Sequence, residues 1–242
     1  MAQREPNPRY PAWFHVKQRS RSAAAPDLAS DRAHALSLTP VSRETSQRLD
    51  RFVELLLTWQ RTTNLIAPST IPHLWTRHIA DSLQLLEFAP DARVWIDLGT
   101  GGGFPGLVIA CALAGKPGAS VHLVESNAKK AAFLREAQRV TGSPAIVHAE
   151  RIEDFAERFE DKVDAVTARA LAPLNLLLDK SFPLLGKSHG KSRALGLFPK
   201  GQNAELELGE ASKTWTVKVN LMPSRTDPDG RIVLVRDLAR RR

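Results

Sequence analysis

"VWIDLGTGGGFPGLVIA", residues 94–110, joins a short apolar run to a second apolar run through a loop rich in glycine. The first run has the pattern of a buried strand, and the second has that of the helix that follows it. Four of the chain's 14 glycines fall within positions 99–103, and Gly106 lies just beyond them. Such a loop lets the backbone approach a ligand at the helix N-terminus. The stretch therefore predicts an α/β fold with a ligand site at this loop.

The segments after this stretch continue the alternation of strand and helix. Further strands are predicted in "SVHLVES", "AIVHAE", "VDAVTARA" and "ALGLFPKG", and "WTVKVNLM" and "RIVLVRD" are predicted to close the chain as an antiparallel hairpin. This order predicts a Rossmann-like, mostly parallel sheet of seven strands with right-handed crossovers. Two helices precede it, in residues 43–61 and 72–88.

Composition divides the chain into three parts. Residues 1–40 mix Pro, Ser, Ala and Arg without periodicity, so we expect a basic and flexible arm there. Residues 41–90 form the predicted N-terminal helical extension. Residues 91–242 form the predicted ligand-binding α/β domain, which ends in a basic C-terminal tail.

The net charge of +8 is concentrated at the two ends of the chain. Residues 1–40 contain six basic and three acidic residues, and residues 231–242 contain five arginines against one aspartate. Basic arms of this kind suit contacts with nucleic-acid phosphates. Solvated tails that only keep a protein soluble have the same composition, so the charge leaves both interpretations open.

Several classes of protein are disfavoured by the sequence. No apolar run is long enough to span a membrane, and the N-terminal residues lack the apolar core of a secretory signal. The single cysteine, Cys111, suits a reducing compartment and excludes an internal disulfide. The seven histidines show no metal-ligand spacing. We therefore expect a cytoplasmic protein with no metal site and no attachment to a membrane.

The identity of the ligand depends on the residues around the glycine loop. Gly101, Gly103 and Gly106 match the spacing of a dinucleotide fingerprint, so a nicotinamide cofactor is one alternative. Asp97 ends the preceding strand, and a carboxylate there would repel a pyrophosphate but suit the ammonium of S-adenosylmethionine. Glu125 ends the next strand, where it could accept hydrogen bonds from the ribose hydroxyls of either cofactor. Asp97 therefore favours S-adenosylmethionine over a dinucleotide, whereas Glu125 suits both.

Other candidate residues follow the later strands. Ile152 could pack on an adenine with Glu153 beside it, although both also suit an ordinary helix surface. Arg169 follows the fourth strand, where its guanidinium could bind the cofactor carboxylate or a guanine edge. Lys200 follows the fifth strand and could contact a phosphate, although loop lysines are usually only solvated.

Five motifs together resemble one family. The motifs are "NLIA" (64–67), "RHIADS" (77–82), "DLGTGGGFPG" (97–106), "ARALA" (168–172) and "PKGQ" (199–202). In this order and spacing they resemble the small-subunit (16S) ribosomal RNA guanine-N7 methyltransferases, which are class I enzymes dependent on S-adenosylmethionine. The resemblance covers about residues 45–236 and implies the class I methyltransferase fold.

The resemblance also implies roles for individual residues. With the interpretation above, the predicted cofactor-binding residues are Asp97, Gly99, Gly101, Phe104, Glu125, Ile152, Glu153 and Arg169. The predicted substrate-side residues are Asn64, Arg77, His78, Asp81 and Lys200. The implied partner is ribosomal RNA or the small ribosomal subunit, which we expect the enzyme to meet as a monomer.

The implied chemistry needs no general base, because guanine N7 attacks through a free lone pair. Positioning and electrostatics alone could serve it. The chain also lacks the Asp/Asn-Pro-Pro-aromatic loop expected of an amino-group methyltransferase, and Cys111 lies in an apolar helix rather than in a Pro-Cys pair. Four alternatives remain open: an enzyme of this fold acting on another RNA, one acting on a small molecule or a protein, a nicotinamide-dependent oxidoreductase, and a non-catalytic RNA-binding module.

Overall fold

Seven strands form a single sheet in the computed structural model, which describes residues 27–186 and 194–241. The strands are β1 (Val94–Leu98), β2 (Ser120–Val124), β3 (Ala145–His148), β4 (Ala165–Thr167), β5 (Leu195–Lys200), β6 (Trp215–Pro223) and β7 (Arg231–Arg240). Their order is β3-β2-β1-β4-β5-β7-β6. β7 runs antiparallel to β5 and β6, and the other neighbouring pairs are parallel. The predicted sheet and its closing hairpin are confirmed.

Helices cover both faces of the sheet, as the apolar strands require. After the glycine loop they are α4 (Gly106–Leu113), α5 (Ala128–Thr141), α6 (Ile152–Arg158), α7 (Leu174–Leu185) and α8 (Ala204–Ala211). Successive residues of β1 point to opposite faces, so Trp95 joins one apolar cluster and Ile96 the other. Cys111 is fully buried in α4, in agreement with its predicted place in the core.

The strand order reverses between β1 and β4, because β2 and β3 extend the sheet to one side and β5 extends it to the other. In an open α/β sheet, the loops at the carboxyl ends of the two central strands separate at this point and leave a crevice. The glycine loop follows β1, and Arg169 follows β4. The topology therefore brings both to one edge of the sheet.

The N-terminal helical extension begins earlier than the sequence predicts. Its first helices are α1 (Leu28–Leu38) and α2 (Arg43–Gln60), each with a side chain capping its N-terminus, Asp27 and Ser42 respectively. The expectation of a flexible arm is therefore wrong for α1, whose Asp31 and Ala35 are buried. Residues 1–26, which make up the rest of the predicted arm, lie outside the described residues.

The helix predicted over residues 72–88 is four short pieces rather than one. A 3₁₀ turn (Pro68–His73) is followed by a π turn (Trp75–Ala80), the α-helical turn α3 (Asp81–Leu83) and a second 3₁₀ turn (Gln84–Phe88). Proline cannot donate a backbone hydrogen bond, and Pro72 lies inside the first piece, which explains why no regular α-helix forms there. The widened π turn carries two of the predicted substrate-side residues, Arg77 and His78, and a third, Asp81, begins α3.

The closing strand extends further than predicted. β7 continues past the predicted "RIVLVRD" to Arg240, so Arg240 of the basic C-terminal residues belongs to the sheet. Among residues 27–186 and 194–241, no helix is both long enough and apolar enough to cross a bilayer.

Candidate active site

A cleft of about 330 Å³ opens beside the glycine loop at the carboxyl edge of the sheet. Five of the residues predicted to bind a cofactor line this glycine-loop cleft, namely Gly99, Gly101, Glu125, Ile152 and Glu153. They come from the ends of three neighbouring strands, β1, β2 and β3. The parallel topology therefore assembles this part of the predicted site.

Glu125 holds the cleft in shape through its carboxylate. Its Oε2 accepts a hydrogen bond from the backbone N–H of Gly101 at 3.0 Å, and its Oε1 accepts one from the backbone N–H of Asn127 at 2.8 Å. Asn127 in turn caps the N-terminus of α5. The same carboxylate thus fixes the glycine loop and the start of the helix after β2, with its side chain almost fully buried.

Asp97 lies beneath the glycine loop and is fully buried. Its Oδ2 accepts a hydrogen bond from the backbone N–H of Gly106 at 2.8 Å, so it anchors the start of α4. A Cβ atom at Gly106 would lie 2.6 Å from the Asp97 Cβ, so only glycine permits this close approach. Asp97 Oδ1 and the hydroxyl of the neighbouring Thr100 have no hydrogen-bond partner among the described residues.

Burial raises the pKa of Asp97 from 3.8 to about 7. The folded chain therefore keeps a proton on this carboxyl that the unfolded chain has already released, and stability should fall as the pH rises from about 4 to about 7. Each unit of difference corresponds to about 1.4 kcal/mol. We expect Asp97→Asn, which keeps an acceptor for Gly106, to remove this part of the pH dependence.

Urea unfolding of both proteins at pH 5 and pH 8, without cofactor, would measure the effect. The wild-type protein should lose more stability than Asp97→Asn over that interval. Other titrating groups contribute equally to both proteins and cancel in the comparison. Parallel losses would contradict the raised pKa.

The far end of the glycine-loop cleft combines an apolar side chain with an ion pair. Ile152 begins α6 and is half-buried, and Glu153 beside it pairs with Lys180 from α7. The Lys180 ammonium holds the pKa of Glu153 below its usual value. An apolar surface next to polar groups suits a nucleobase, whose face is apolar and whose edge carries hydrogen-bonding atoms.

A second cleft, of about 380 Å³, lies on the other side of the β4 loop. We call it the arginine cleft, and four predicted substrate-side residues line it, namely Arg77, His78, Asp81 and Lys200. Arg169 lines it too. The sequence analysis placed Arg169 with the cofactor residues, but its side chain lies among the substrate-side residues instead.

The Arg169 guanidinium is held on three sides. It donates to the carbonyl oxygen of Arg77 at 2.9 Å, to His78 Nδ1 at 2.5 Å and to Asp81 Oδ2 at 3.1 Å. Its Cζ also lies 5.2 Å from the centre of the Phe104 ring, which favours a cation–π contact. Phe104 itself is buried and lines neither cleft.

His78 is neutral at physiological pH. Burial, reinforced by the nearby Arg169 and Arg77 charges, lowers its pKa to about 3. Since Arg169 can only donate, His78 Nδ1 must accept, which leaves the hydrogen on Nε2 to be donated to Thr70 Oγ1 at 2.8 Å. Both ring nitrogens are therefore engaged within the protein.

Two predicted residues have other surroundings than expected. Lys200 pairs with Glu207 Oε2 at 2.6 Å and donates to the carbonyl oxygen of Ala172 at 2.8 Å, so its ammonium is engaged within the fold. Asn64 is exposed and lines neither of the two clefts. Its neighbour Leu65 does pack against the glycine loop, where a Cβ at Gly102 would lie 3.0 Å from the Leu65 oxygen.

A three-residue wall, Arg169 to Leu171, separates the two clefts. Ala170 lines both clefts and has a left-handed backbone, with φ of 52°. Leu171 lines the glycine-loop cleft and packs so closely on Gly99 that a Cβ there would lie 2.7 Å from Leu171 Cδ1. Leu171 lies within the motif "ARALA" but was not predicted as a site residue, because an apolar side chain there also suits the core. Lys180 and Thr226 were also missed, because no motif or spacing marks them.

Within residues 27–186 and 194–241, no group of three or more His, Cys, Asp or Glu side chains is arranged to hold a metal ion.

Comparisons with known proteins identify the family. Residues 45–229 match the family model for GidB, rRNA small subunit methyltransferase G. A ribosomal RNA small subunit methyltransferase G from Bradyrhizobium sp. strain BTAi1 is 60% identical over 91% of this chain and 97% of its own length. The relative of the same name from Bradyrhizobium sp. strain ORS 278 is 58% identical over 93% of this chain and 100% of its own.

The fold has counterparts among solved structures. An O-methyltransferase from Bacillus cereus, in complex with SAH, superimposes with a TM-score of 0.55 over 86% of this chain and 97% of its own, at 13% identity. At that identity the likeness concerns the fold alone, and it confirms the predicted class I methyltransferase architecture.

Proposed function

Because this chain belongs to the rRNA small subunit methyltransferase G family, we propose that it transfers a methyl group from S-adenosylmethionine to N7 of a guanine in small-subunit ribosomal RNA. The family membership favours a methyltransferase over the nicotinamide-dependent oxidoreductase left open by the sequence. We further propose that it acts in the cytoplasm as a monomer that meets ribosomal RNA or the small ribosomal subunit.

The glycine-loop cleft fits S-adenosylmethionine through the chemistry of its lining. Glu125 would accept hydrogen bonds from the ribose hydroxyls, Ile152 would pack on the adenine, and Gly99 and Gly101 would let the backbone approach the methionine part. Asp97 would act from below, since it holds Gly106 and keeps one oxygen without a partner. When bound, S-adenosylmethionine supplies an electrophilic methyl group on a positively charged sulfur.

The arginine cleft would hold the guanine. Two of its cations, Arg77 and Arg169, suit the O6 edge of guanine and the neighbouring phosphates. The N7 lone pair forms the new N–C bond while the C–S electron pair leaves with sulfur, so no proton moves. The guanine acquires a positive charge, and the carboxylates of Asp81, Asp227 and Glu207 in the same cleft offset the surrounding cations.

The observation that carries the N7 assignment is that the imidazole and the carboxylates lining the arginine cleft are each paired with a cation or a hydroxyl, which makes them poor bases. His78 lies between Arg169 and Thr70, and Asp81 accepts from Arg169. Asp227 pairs with Arg77, and Glu207 pairs with Lys200. Methylation of an amino or hydroxyl group commonly needs a group that takes up a proton, whereas N7 needs none.

Mass-spectrometric mapping of small-subunit ribosomal RNA would test the proposal. Cells that lack the protein should lose one 7-methylguanosine, and the wild-type protein should restore it. Loss of a different modification would replace the N7 assignment, and an unchanged RNA would contradict the proposed function. Purified protein offered naked RNA, the assembled subunit and an unrelated RNA would then define the substrate.

A further inference from the structure

A carboxylate from the N-terminal extension is buried at the base of the π turn. Asp31 of α1 is 3% exposed, and its Oδ2 accepts hydrogen bonds from the backbone N–H groups of Trp75 at 2.7 Å and Thr76 at 3.3 Å. Its Oδ1 accepts from the Thr76 hydroxyl at 2.6 Å. The residue lies outside the part of the chain that matches the family model.

The π turn needs such a partner because of where it starts. The preceding 3₁₀ turn ends at His73, and the π turn begins at Trp75, so the helical hydrogen-bond register changes between them. The first N–H groups of a helical segment have no acceptor within their own segment, and buried N–H groups left unpaired are costly. No side chain of the π turn or its preceding residue caps it, and Asp31 supplies the acceptor from another element.

The next residue of α1 anchors this carboxylate in place. The Arg32 guanidinium lies 5.1 Å from the Trp75 ring centre and donates to both carboxylate oxygens of Asp50 and to Ser46, at 2.6 to 2.8 Å. Asp50 and Ser46 belong to α2. The pair Asp31 and Arg32 therefore fastens α1 to both the π turn and α2.

The π turn and the α3 residue that follows it supply all three polar partners of Arg169, namely the Arg77 carbonyl, His78 Nδ1 and Asp81 Oδ2. We propose that Asp31 is a positioning residue for the methyl transfer proposed above: by capping the π turn, it sets where the Arg169 guanidinium lies in the arginine cleft. The proposal rests on the proposed function for its kinetic consequence. Its structural part, that Asp31 holds the turn, stands independently.

Two variants test the proposal, Asp31→Ala and the smaller change Thr76→Val, which removes only the hydroxyl donor. We expect Asp31→Ala to lower kcat for methyl transfer to the small subunit by about 10- to 100-fold, because a displaced positioning group is costly even at a distance. Thr76→Val should lower kcat in the same direction but less. The KM for S-adenosylmethionine should not change, since the glycine-loop cleft does not touch the π turn. Backbone amides of Trp75 and Thr76 should exchange hydrogen faster in Asp31→Ala.

Ser42→Ala is the matched control. It also removes a helix cap, because the Ser42 hydroxyl oxygen accepts from the Thr45 N–H at 3.2 Å at the start of α2, but it leaves the π turn untouched. It should lower stability while leaving kcat unchanged. Wild-type kcat in Asp31→Ala, or an equal loss of kcat in Ser42→Ala, would overturn the positioning role. If the wild-type protein does not methylate RNA, only the proposed function is overturned, because hydrogen exchange reports separately whether Asp31 holds the π turn. If the Trp75 and Thr76 amides exchange at the wild-type rate in Asp31→Ala, the positioning role of Asp31 is overturned.

Discussion

Replacing Glu125 with alanine is expected to weaken the binding of S-adenosylmethionine by about a hundredfold or more. The carboxylate accepts from the Gly101 and Asn127 N–H groups, and we propose that it also accepts from the ribose. Hydrogen bonds to a charged group contribute about 1.5 to 3 kcal/mol each, and about 1.4 kcal/mol is a factor of ten in affinity. Alanine therefore loses both the ligand contact and the support of the loop. Calorimetric titration would measure the affinity.

Two further variants make this result specific. Glu125→Gln keeps an acceptor without the charge and should fall between the wild-type protein and Glu125→Ala. Glu157→Ala removes an exposed glutamate from α6, away from the glycine loop, and should bind the cofactor like the wild-type protein. Undiminished binding by Glu125→Ala would show that the glycine-loop cleft is not the cofactor site.

Replacing Arg169 with methionine is expected to slow methyl transfer by about a hundredfold or more, with the affinity for S-adenosylmethionine unchanged. Preorganised donors that face a reacting group are typically worth a factor of this size in kcat. The guanidinium meets three acceptors in fixed directions, a geometry that an ammonium cannot reproduce. Arg169→Lys should therefore recover little activity. Single-turnover methylation of the small subunit would separate this step from binding.

Arg240 offers a matched control for this variant. It too pairs with a carboxylate, Asp179 at 2.6 Å, and lies 4.9 Å from an aromatic ring centre, that of Trp215, but it stands at the end of β7 far from Lys200. Arg240→Met should methylate RNA at the wild-type rate. A loss of cofactor affinity in Arg169→Met would instead support the contact with the cofactor that the sequence analysis assigned to it.

The sheet could be predicted because each strand is recognisable from the apolar pattern of its own residues. Parallel strands covered on both faces are short, nearly continuous apolar runs, as in β1 and β2, and the helices between them keep a separate period. Residues directly after a strand, such as Gly99 and Glu125, are then placed at one edge by topology alone. For this reason the glycine-loop cleft contains five of the eight cofactor residues that were predicted.

Features that depend on distant contacts could not be predicted. α1 shows no apolar stripe, and its buried residues include an aspartate whose partners lie 44 and 45 positions along the chain. The cleft that Arg169 enters depends on the left-handed backbone of Ala170 and on the acceptors offered by the π turn. Neither a period nor a motif records such contacts, so the sequence located Arg169 along the chain but did not predict which cleft its side chain lines.

The wall from Arg169 to Leu171 has a thermodynamic consequence. Because one short segment faces both clefts, an occupant of one cleft that shifts this segment alters the free energy of filling the other. Such linkage is reciprocal: the factor by which the methyl donor changes the affinity for RNA equals the factor by which RNA changes the affinity for the donor. The binding of the two substrates is then coupled through three residues. The affinity for RNA can therefore differ between the complex with the methyl donor and the complex with the product that has lost its methyl group.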